Sequence, residues 1–343
     1  MKNLRIILVA ILVNQSIICR CSDVDSLTQD DKIYYTSLKD KLTVYLYGIT
    51  KLNGFDLHDS EKDHGLSYYP NDNFNIGLGF NYKWAGIGAA FNFGFINKDN
   101  DLYGKTSSLD LQADLYTTRM VFSTNFAYYK GFYWKNVNDY YPGWNIKDSV
   151  VIRPDIETFA LGFGAIYTFN NKKFSFRAAY SNTEWQKHSA GSMLAEGHLS
   201  LYGLSADSSL IPDILRIYYP AYDSVTNLTT LNMGGAYGYT HTFVIKKKVY
   251  INATLLIGIS LQAYNIKNIT GDELESKVKP SSLAHLSLAL GYNSEKSYFG
   301  ISGVLDTYLL KNETKAEFSR YFGKVRIFYG RRFNLAKNQT KKP

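Results

Sequence analysis

The chain has 343 residues, among them 29 Tyr, 20 Phe and 26 Gly but only 7 Pro. A mean hydropathy of −0.22 excludes a membrane protein built of apolar helices, though not one built of strands, which show half their residues to a polar interior. The formal charge is +8 without any basic stripe interleaved with aromatics, which excludes a nucleic-acid-binding surface, and the only cysteines, Cys19 and Cys21, exclude a disulfide scaffold or a zinc ribbon.

From the N-terminus, residues 1–21 read as a secretory signal peptide: Lys2 and Arg5 form a basic start, Ile6 to Val13 a short apolar run, and Cys19-Arg20-Cys21 a small-residue cleavage site before Ser22. The apolar run is too short to cross a bilayer as a helix. Cleavage there removes both cysteines and leaves 35 basic against 30 acidic residues. Residues 22–41 are a short polar lead, expected in the periplasm. Residues 336–343 are a polar, basic tail.

Between them the chain alternates with a period of two, the period of a strand, because successive side chains leave opposite faces of the pleat. Leu42–Leu52 is the first expected strand, followed by a long polar loop with His58 and His64. Asn73–Trp84 and Gly86–Phe95 form a hairpin, and Thr106–Thr117 and Met120–Phe132 another. In the former of that second pair, Leu109, Leu111, Ala113 and Leu115 alternate with Ser108, Asp110, Gln112, Asp114 and Tyr116. A loop with Trp144 and Arg153-Pro154-Asp155 leads to the clearest hairpin, Glu157–Gln186. There Phe159, Leu161, Phe163, Ala165, Tyr167 and Phe169 oppose Thr158, Ala160, Gly162, Gly164 and Thr168. After the turn Asn170–Lys173, Phe174, Phe176, Ala178 and Tyr180 oppose Ser175, Arg177, Ala179 and Ser181, so this segment reads as the returning strand. Gly191–Leu204, Leu231–Ile245, Val249–Ile266, Ser282–Tyr292, Ser297–Leu310 and Lys324–Leu335 follow.

One face of these strands is broad and apolar with aromatics near its ends; the other is small, Gly-rich and polar. That arrangement suits lipid outside and a polar interior. The fold class expected is therefore all-β, a single antiparallel transmembrane β-barrel over residues 42–335, with a polar lumen and a lipid-facing aromatic exterior. Thirteen strands violate the even count of single-chain bacterial barrels. An extra strand at Ile214–Tyr222 gives fourteen; assigning the Gly191 strand to a long excursion gives twelve. Both remain open.

Several segments carry a resemblance: Tyr69-Pro70-Asn71, Lys105–Gln112, Tyr129–Tyr133 (YKGFY), Arg153–Ile156 (RPDI), Tyr167–Tyr180, Glu184–Ser192 (EWQKHSAGS), Asp207–Pro212 (DSSLIP) and Gly238–Val244. Together they resemble the uncharacterised Bacteroidetes domain-of-unknown-function family 4421, from about Lys41 to Phe333. The resemblance implies an exported, barrel-like outer-membrane protein and implies no activity. At position 188 relatives are expected to carry Lys or Arg, so His188 departs from the pattern. Gly330–Leu335 resembles the last-strand signal read by the barrel assembly machinery, although Phe328 stands where that signal prefers a polar residue.

Residues that carry chemistry are scarce. The interior face is expected to hold Asp110, Gln112, Asp114, Arg177, Glu196, His198, His285, Lys324 and Arg326, either paired with one another or lining a polar path for solute. Glu184, His188, Ser189 and Ser192 supply the acid, imidazole and hydroxyl that a lipid-modifying barrel needs, but all four fall in one loop, where a solvated surface is the preferred reading. His58, Asp59, Asp63 and His64 could ligate a metal, but exposed carboxylate–imidazole groupings are common, so no metal and no cofactor is expected. The expected protein is a non-enzymatic channel or surface scaffold in the outer membrane, in contact with lipid and lipopolysaccharide and of undetermined oligomeric state; the alternative is a membrane-embedded lipid hydrolase or acyltransferase.

Overall fold

A computed structural model describes residues 34–59, 64–71, 74–83, 85–93, 99–141, 150–219, 223–311 and 316–335. The signal peptide, the tail, Asp63 and Trp144 lie outside these. The strands in chain order are β1 (Tyr35–Ser37), β2 (Leu42–Asp59), β3 (His64–Tyr69), β4 (Asn75–Tyr82), β5 (Ala85–Asn92), β6 (Ser107–Tyr116), β7 (Met120–Trp134), β8 (Val151–Thr168), β9 (Glu184–Gln186), β10 (Ala190–Ser205), β11 (Val225–Ile245), β12 (Val249–Asn268), β13 (Glu273–Asn293), β14 (Ser297–Lys311) and β15 (Ala316–Phe333). No helix among the described residues is long and apolar enough to cross a membrane.

Thirteen of these strands form one antiparallel sheet that closes on itself. Ten complete the ring: β2 pairs with β15 along its whole length, the wall runs through β14, β13, β12, β11, β10, β8 and β7, and β3 joins β7 back to β2. The other three hang in the lower half of the gap between β2 and β7, with β4–β5 on β2 and β6 on β7. The remaining strands, β1 and β9, make a separate two-stranded sheet.

Alternation sorts the side chains as the sequence implied. Outward positions of β11 and β12 carry Leu231, Met233, Tyr237, Tyr239, Ile257 and Ile259, and Ile259 is 76% exposed. Inward positions of the same strands carry Thr230, Asn232, Thr240, Thr254 and Gln262, all buried. Exposed aromatics such as Phe169, Phe243, Phe299 and Tyr329 gather at the end where turns are short. One of those turns, between β11 and β12, holds Lys246 and Lys247 at φ of 50° and 59°, the left-handed pair a tight hairpin requires.

Several expectations are corrected. Where a strand was an option at Ile214–Tyr222, Asp213–Tyr218 form a 3₁₀ turn and residues 220–222 lie outside the described residues, while Ala190–Ser205 is a full wall strand. The polar loop expected after Leu52 is instead the β2–β3 hairpin. Strand β8 starts at Val151, before the Arg153-Pro154-Asp155 run. Pro154 is accommodated because β10 reaches only to Glu157, leaving an edge where the missing N–H costs no ladder bond.

The largest correction concerns residues 174–181, which are not a returning strand. Arg177–Ser181 form a π-helical turn closed by Asn182 in the left-handed region, and the connection from Asn170 to Ser189 folds into the barrel rather than spanning beside it. Phe176 and Tyr180 are four residues apart, a spacing that puts side chains on one face in a strand and in a helix alike. Their rings meet at 6.0 Å. Ala178 and Ala179 are buried, and small residues let the segment fit between the walls.

Candidate functional site

The Asn170–Ser189 connection closes the short-turn end of the barrel from within. Tyr180 donates its hydroxyl to Asn252 Oδ1 on β12 at 2.7 Å and sits 2.9 Å from Ser287 Oγ on β13. Tyr250 donates to the carbonyl of Ala179 at 3.1 Å, and Asn293 Nδ2 donates to the carbonyl of Glu184 at 3.0 Å. Two guanidiniums of β15 complete the anchorage, Arg326 on the carbonyl of Tyr180 and Arg332 on that of Asn182. Arg177, expected on a wall strand, belongs to this inserted segment. It reaches the carbonyl of Tyr116 at 3.1 Å and Glu184 Oε1 at 3.2 Å. The N-terminal lead joins the same structure, because β1 pairs with β9 in register Tyr35 to Gln186.

The opposite end is filled by apolar side chains. The β10–β11 connection turns inward and buries Leu210, Ile211, Leu215 and Tyr219 against Phe55, Leu66, Tyr68 and Trp134. Here RPDI and DSSLIP, far apart in sequence, meet: Asp155 holds Arg153 in a two-pronged pair at 2.8 Å, and Arg153 Nη1 donates to the carbonyl of Ser209 at 2.9 Å. Ser208 Oγ donates to Asp155 Oδ2 at 3.1 Å. The Arg153 guanidinium holds the Asp155 carboxyl down at about 2.

Between the two closures lies a cavity of about 790 Å³. Eight of the nine residues expected in the interior border it, Arg177 being the exception. Three ion pairs order its wall: Lys51 with Asp110 at 2.7 Å, Lys324 with Asp114 at 3.3 Å, and His285 with Asp306 at 2.7 Å. Tyr129 and Gln112 also donate to Asp110, at 2.8 and 3.0 Å. Pairing of this kind offsets the cost of taking charges out of water. Two groups are left over. Glu196 Oε2 and both ring nitrogens of His198 are buried with no hydrogen-bond partner, and such groups carry a desolvation cost that a ligand or solvent would relieve. The His198 ring stands edge-on to Tyr308 at 5.8 Å. Above it, Arg320 lies 4.5 Å over the Tyr202 ring.

Lys51, Asp306, Tyr129 and Arg320 were missed as interior residues. The signal was present for two of them: Lys51 continues the alternation Tyr45, Tyr47, Ile49, and Asp306 continues Ser302, Val304. Tyr129 and Arg320 were in phase as well, Tyr129 with Ser123, Asn125 and Ala127 and Arg320 with Phe322, Lys324 and Arg326, but aromatic and cationic side chains near strand ends occur on either face, so the phase alone did not single them out.

Glu184, His188, Ser189 and Ser192 are each engaged elsewhere. The Glu184 carboxylate takes hydrogen bonds from Ser175 and Arg177. Ser192 Oγ accepts from the Asn170 N–H at 2.8 Å, and Ser189 Oγ accepts from that of Val244 at 2.9 Å. His188 is exposed and packs edge-on against Tyr34 at 5.8 Å. Of the grouping considered for a metal, His58 lies in β2, and Asp59 and His64 are register partners across the β2–β3 hairpin.

The family described as "Domain of unknown function (DUF4421)" matches residues 29–333. No protein of curated function matches the chain. Among solved structures, the outer membrane protease OmpT from Escherichia coli is 9% identical, covering 87% of this chain and 98% of its own, with a TM-score of 0.40. The translocator domain of the autotransporter NalP from Neisseria meningitidis is 8% identical, covering 85% and 88%, with a TM-score of 0.33. The toluene transporter TodX of P. putida is 7% identical, covering 87% and 91%, with a TM-score of 0.25.

Proposed function

The chain belongs to the DUF4421 family, and from that starting point we propose that it is an exported, integral outer-membrane β-barrel acting as a closed channel for small polar solutes. Its belt of exposed apolar side chains meets membrane lipid and lipopolysaccharide, and its terminal strand β15 is the segment the barrel assembly machinery takes up. A soluble barrel would bury those side chains instead. The short turns then face the periplasm and the long connections the exterior, as in other outer-membrane barrels. The lumen is polar, with its charges largely paired.

One observation carries the channel reading over a plain scaffold: a cavity of about 790 Å³, walled by three ion pairs, lies directly behind a closure made of hydrogen bonds to a single chain segment. A scaffold gains nothing from a charged interior, whereas a channel needs a polar path and a removable barrier. The lipid hydrolase or acyltransferase reading has less support, since the two serines and the imidazole have separate partners.

Single-channel recording in planar bilayers tests the proposal. The refolded wild-type barrel should be silent or open briefly, and a variant with residues 174–182 and 209–219 both replaced by Gly-Ser linkers, so that neither closure of the cavity remains, should conduct steadily. A folded linker variant that stays silent would remove the channel and leave the scaffold.

A further inference from the structure

We infer that the central cavity also opens sideways, between β5 and β6, and that it takes the headgroup and upper chain of a membrane amphiphile through that seam. The inference rests on the reading that the barrel spans the bilayer. It concerns a stretch of wall that, among the described residues, the sheet does not close. In the lower half of the barrel β5 is paired only to β4 and β6 only to β7, and among the described residues β5 and β6 share no ladder. Closure there is made only above, through β3.

The cavity reaches this seam. On β2 and β14 it is bordered by alternate residues only, Tyr45, Tyr47, Ile49 and Lys51 on the one and Ser302, Val304, Asp306 and Tyr308 on the other. A paired wall shows mainly one face of its pleat to the inside, and on β7, β8 and β15 the consecutive bordering residues run to three at most, Ser123–Asn125, Gly162–Gly164 and Phe322–Lys324. On β6 it is bordered by eight consecutive residues, Ser107–Asp114, and on β5 by Gly88 and Ala90. Outward Leu109, Leu111 and Ala113 therefore border the same space as inward Asp110, Gln112 and Asp114, as expected where a cavity passes round a free strand edge.

The seam also lies inside the apolar belt. Its flanks expose Leu78 and Phe80 on β4, Phe91 on β5, Leu115 on β6 and Phe122 on β7. Backbone N–H and C=O groups on ladder-free edges facing hydrocarbon are costly, each unsatisfied group by several kcal/mol. On β6 the carbonyl of Asp110 takes Lys51 Nζ at 2.7 Å and that of Tyr116 takes Arg177, and side chains supply no more than these along the edge among the hydrogen bonds described. What relieves that cost must bring hydrogen-bonding atoms to the edges and apolar surface to the belt. A headgroup with an attached acyl chain does both. Inside, the paired charges Lys51–Asp110 and Asp114–Lys324 offer both signs to a zwitterionic or charged headgroup, and the chain lies past Leu109 and Leu111 toward the lipid.

A chain starting at Ser22 has no cysteine, so single-cysteine labelling is clean. Gln112→Cys and, separately, Ser108→Cys place a bimane fluorophore on the inward face of β6; Ile257→Cys places one on the outward face of β12. Each is refolded into vesicles of phosphatidylcholine with brominated acyl chains. Quenching at Ile257 reports the spanning barrel by itself. The expected result is quenching at Gln112 and Ser108 as well, comparable in extent to Ile257. Quenching at Ile257 with both inward probes unquenched overturns the seam and leaves the barrel intact. No quenching at any position overturns the spanning reading on which the inference rests.

Discussion

The hydroxyl of Tyr180 donates to Oδ1 of Asn252 at 2.7 Å, joining the inserted connection to a wall strand 72 residues further on. That contact locates the closure of the barrel: the plug is a loop between neighbouring wall strands, joined by β1 through its pairing with β9. Tyr180→Phe keeps the ring and its contact with Phe176 and removes the hydroxyl. The hydroxyl contacts both Asn252 and Ser287, and each such hydrogen bond lost costs about 1 kcal/mol. The expected readouts are a small fall in the urea midpoint of the refolded protein and more frequent channel openings; unchanged gating would mean that the segment does not obstruct the path.

The facing of the wall is tested by two arginines. Ile257 is 64% exposed on the outer face of β12, and Ile257→Arg should cost about 2–4 kcal/mol in bilayers if that position lies near the midplane. Phe176 lies on the inserted segment, so Phe176→Arg should disturb the plug and raise conductance while sparing assembly of the barrel. Folding yields in vesicles separate the two. Equal failure of both to fold would place Phe176 in the wall after all.

His198 is a buried imidazole whose ring nitrogens have no partner. Replacing an unsatisfied polar group with an apolar one of similar shape is nearly neutral or stabilising. His198→Phe should therefore leave the urea midpoint unchanged or raise it, and in a plug-free variant it should alter conductance. A marked loss of stability would show that the imidazole is bonded in the folded protein.

The Arg153–Asp155 pair at the loop end gives a pH dependence. Asp155 falls from the ordinary 3.8 to about 2 because Arg153 donates to it and attracts it. A folded-state pKa below the unfolded one stabilises fully above the ordinary value and progressively less as pH falls through the lower one. Protease resistance of the β10–β11 connection should hold at neutral pH and decline between about pH 4 and 2. Asp155→Asn should be more sensitive at neutral pH and lack that decline. Identical profiles would show that the pair does not hold the connection.

A fluorophosphonate probe should leave the protein unlabelled, because Ser189 and Ser192 accept hydrogen bonds from backbone N–H groups of Val244 and Asn170. Labelling abolished by His188→Ala would restore the lipid-hydrolase reading.

The alternation in Leu231–Ile245, Val249–Ile266 and Ser282–Tyr292 was enough to give strands, which side chains share a face, and an all-β barrel. A period of two is a local property, since each residue's side of the pleat follows from its neighbours. The same locality gave most of the interior residues, Asp110, Asp114, His285 and Lys324 among them. It failed at Phe174–Ser181, where the four-residue spacing of Phe176 and Tyr180 satisfies strand and helical turn equally, and only the space left between the walls chooses. Neither could it show that Lys51 meets Asp110, that RPDI clamps DSSLIP, or that β5 and β6 stay unpaired. Those facts depend on which segments the closed sheet brings together across the barrel. They are long-range consequences of strand order and register, and no short stretch of sequence contains them.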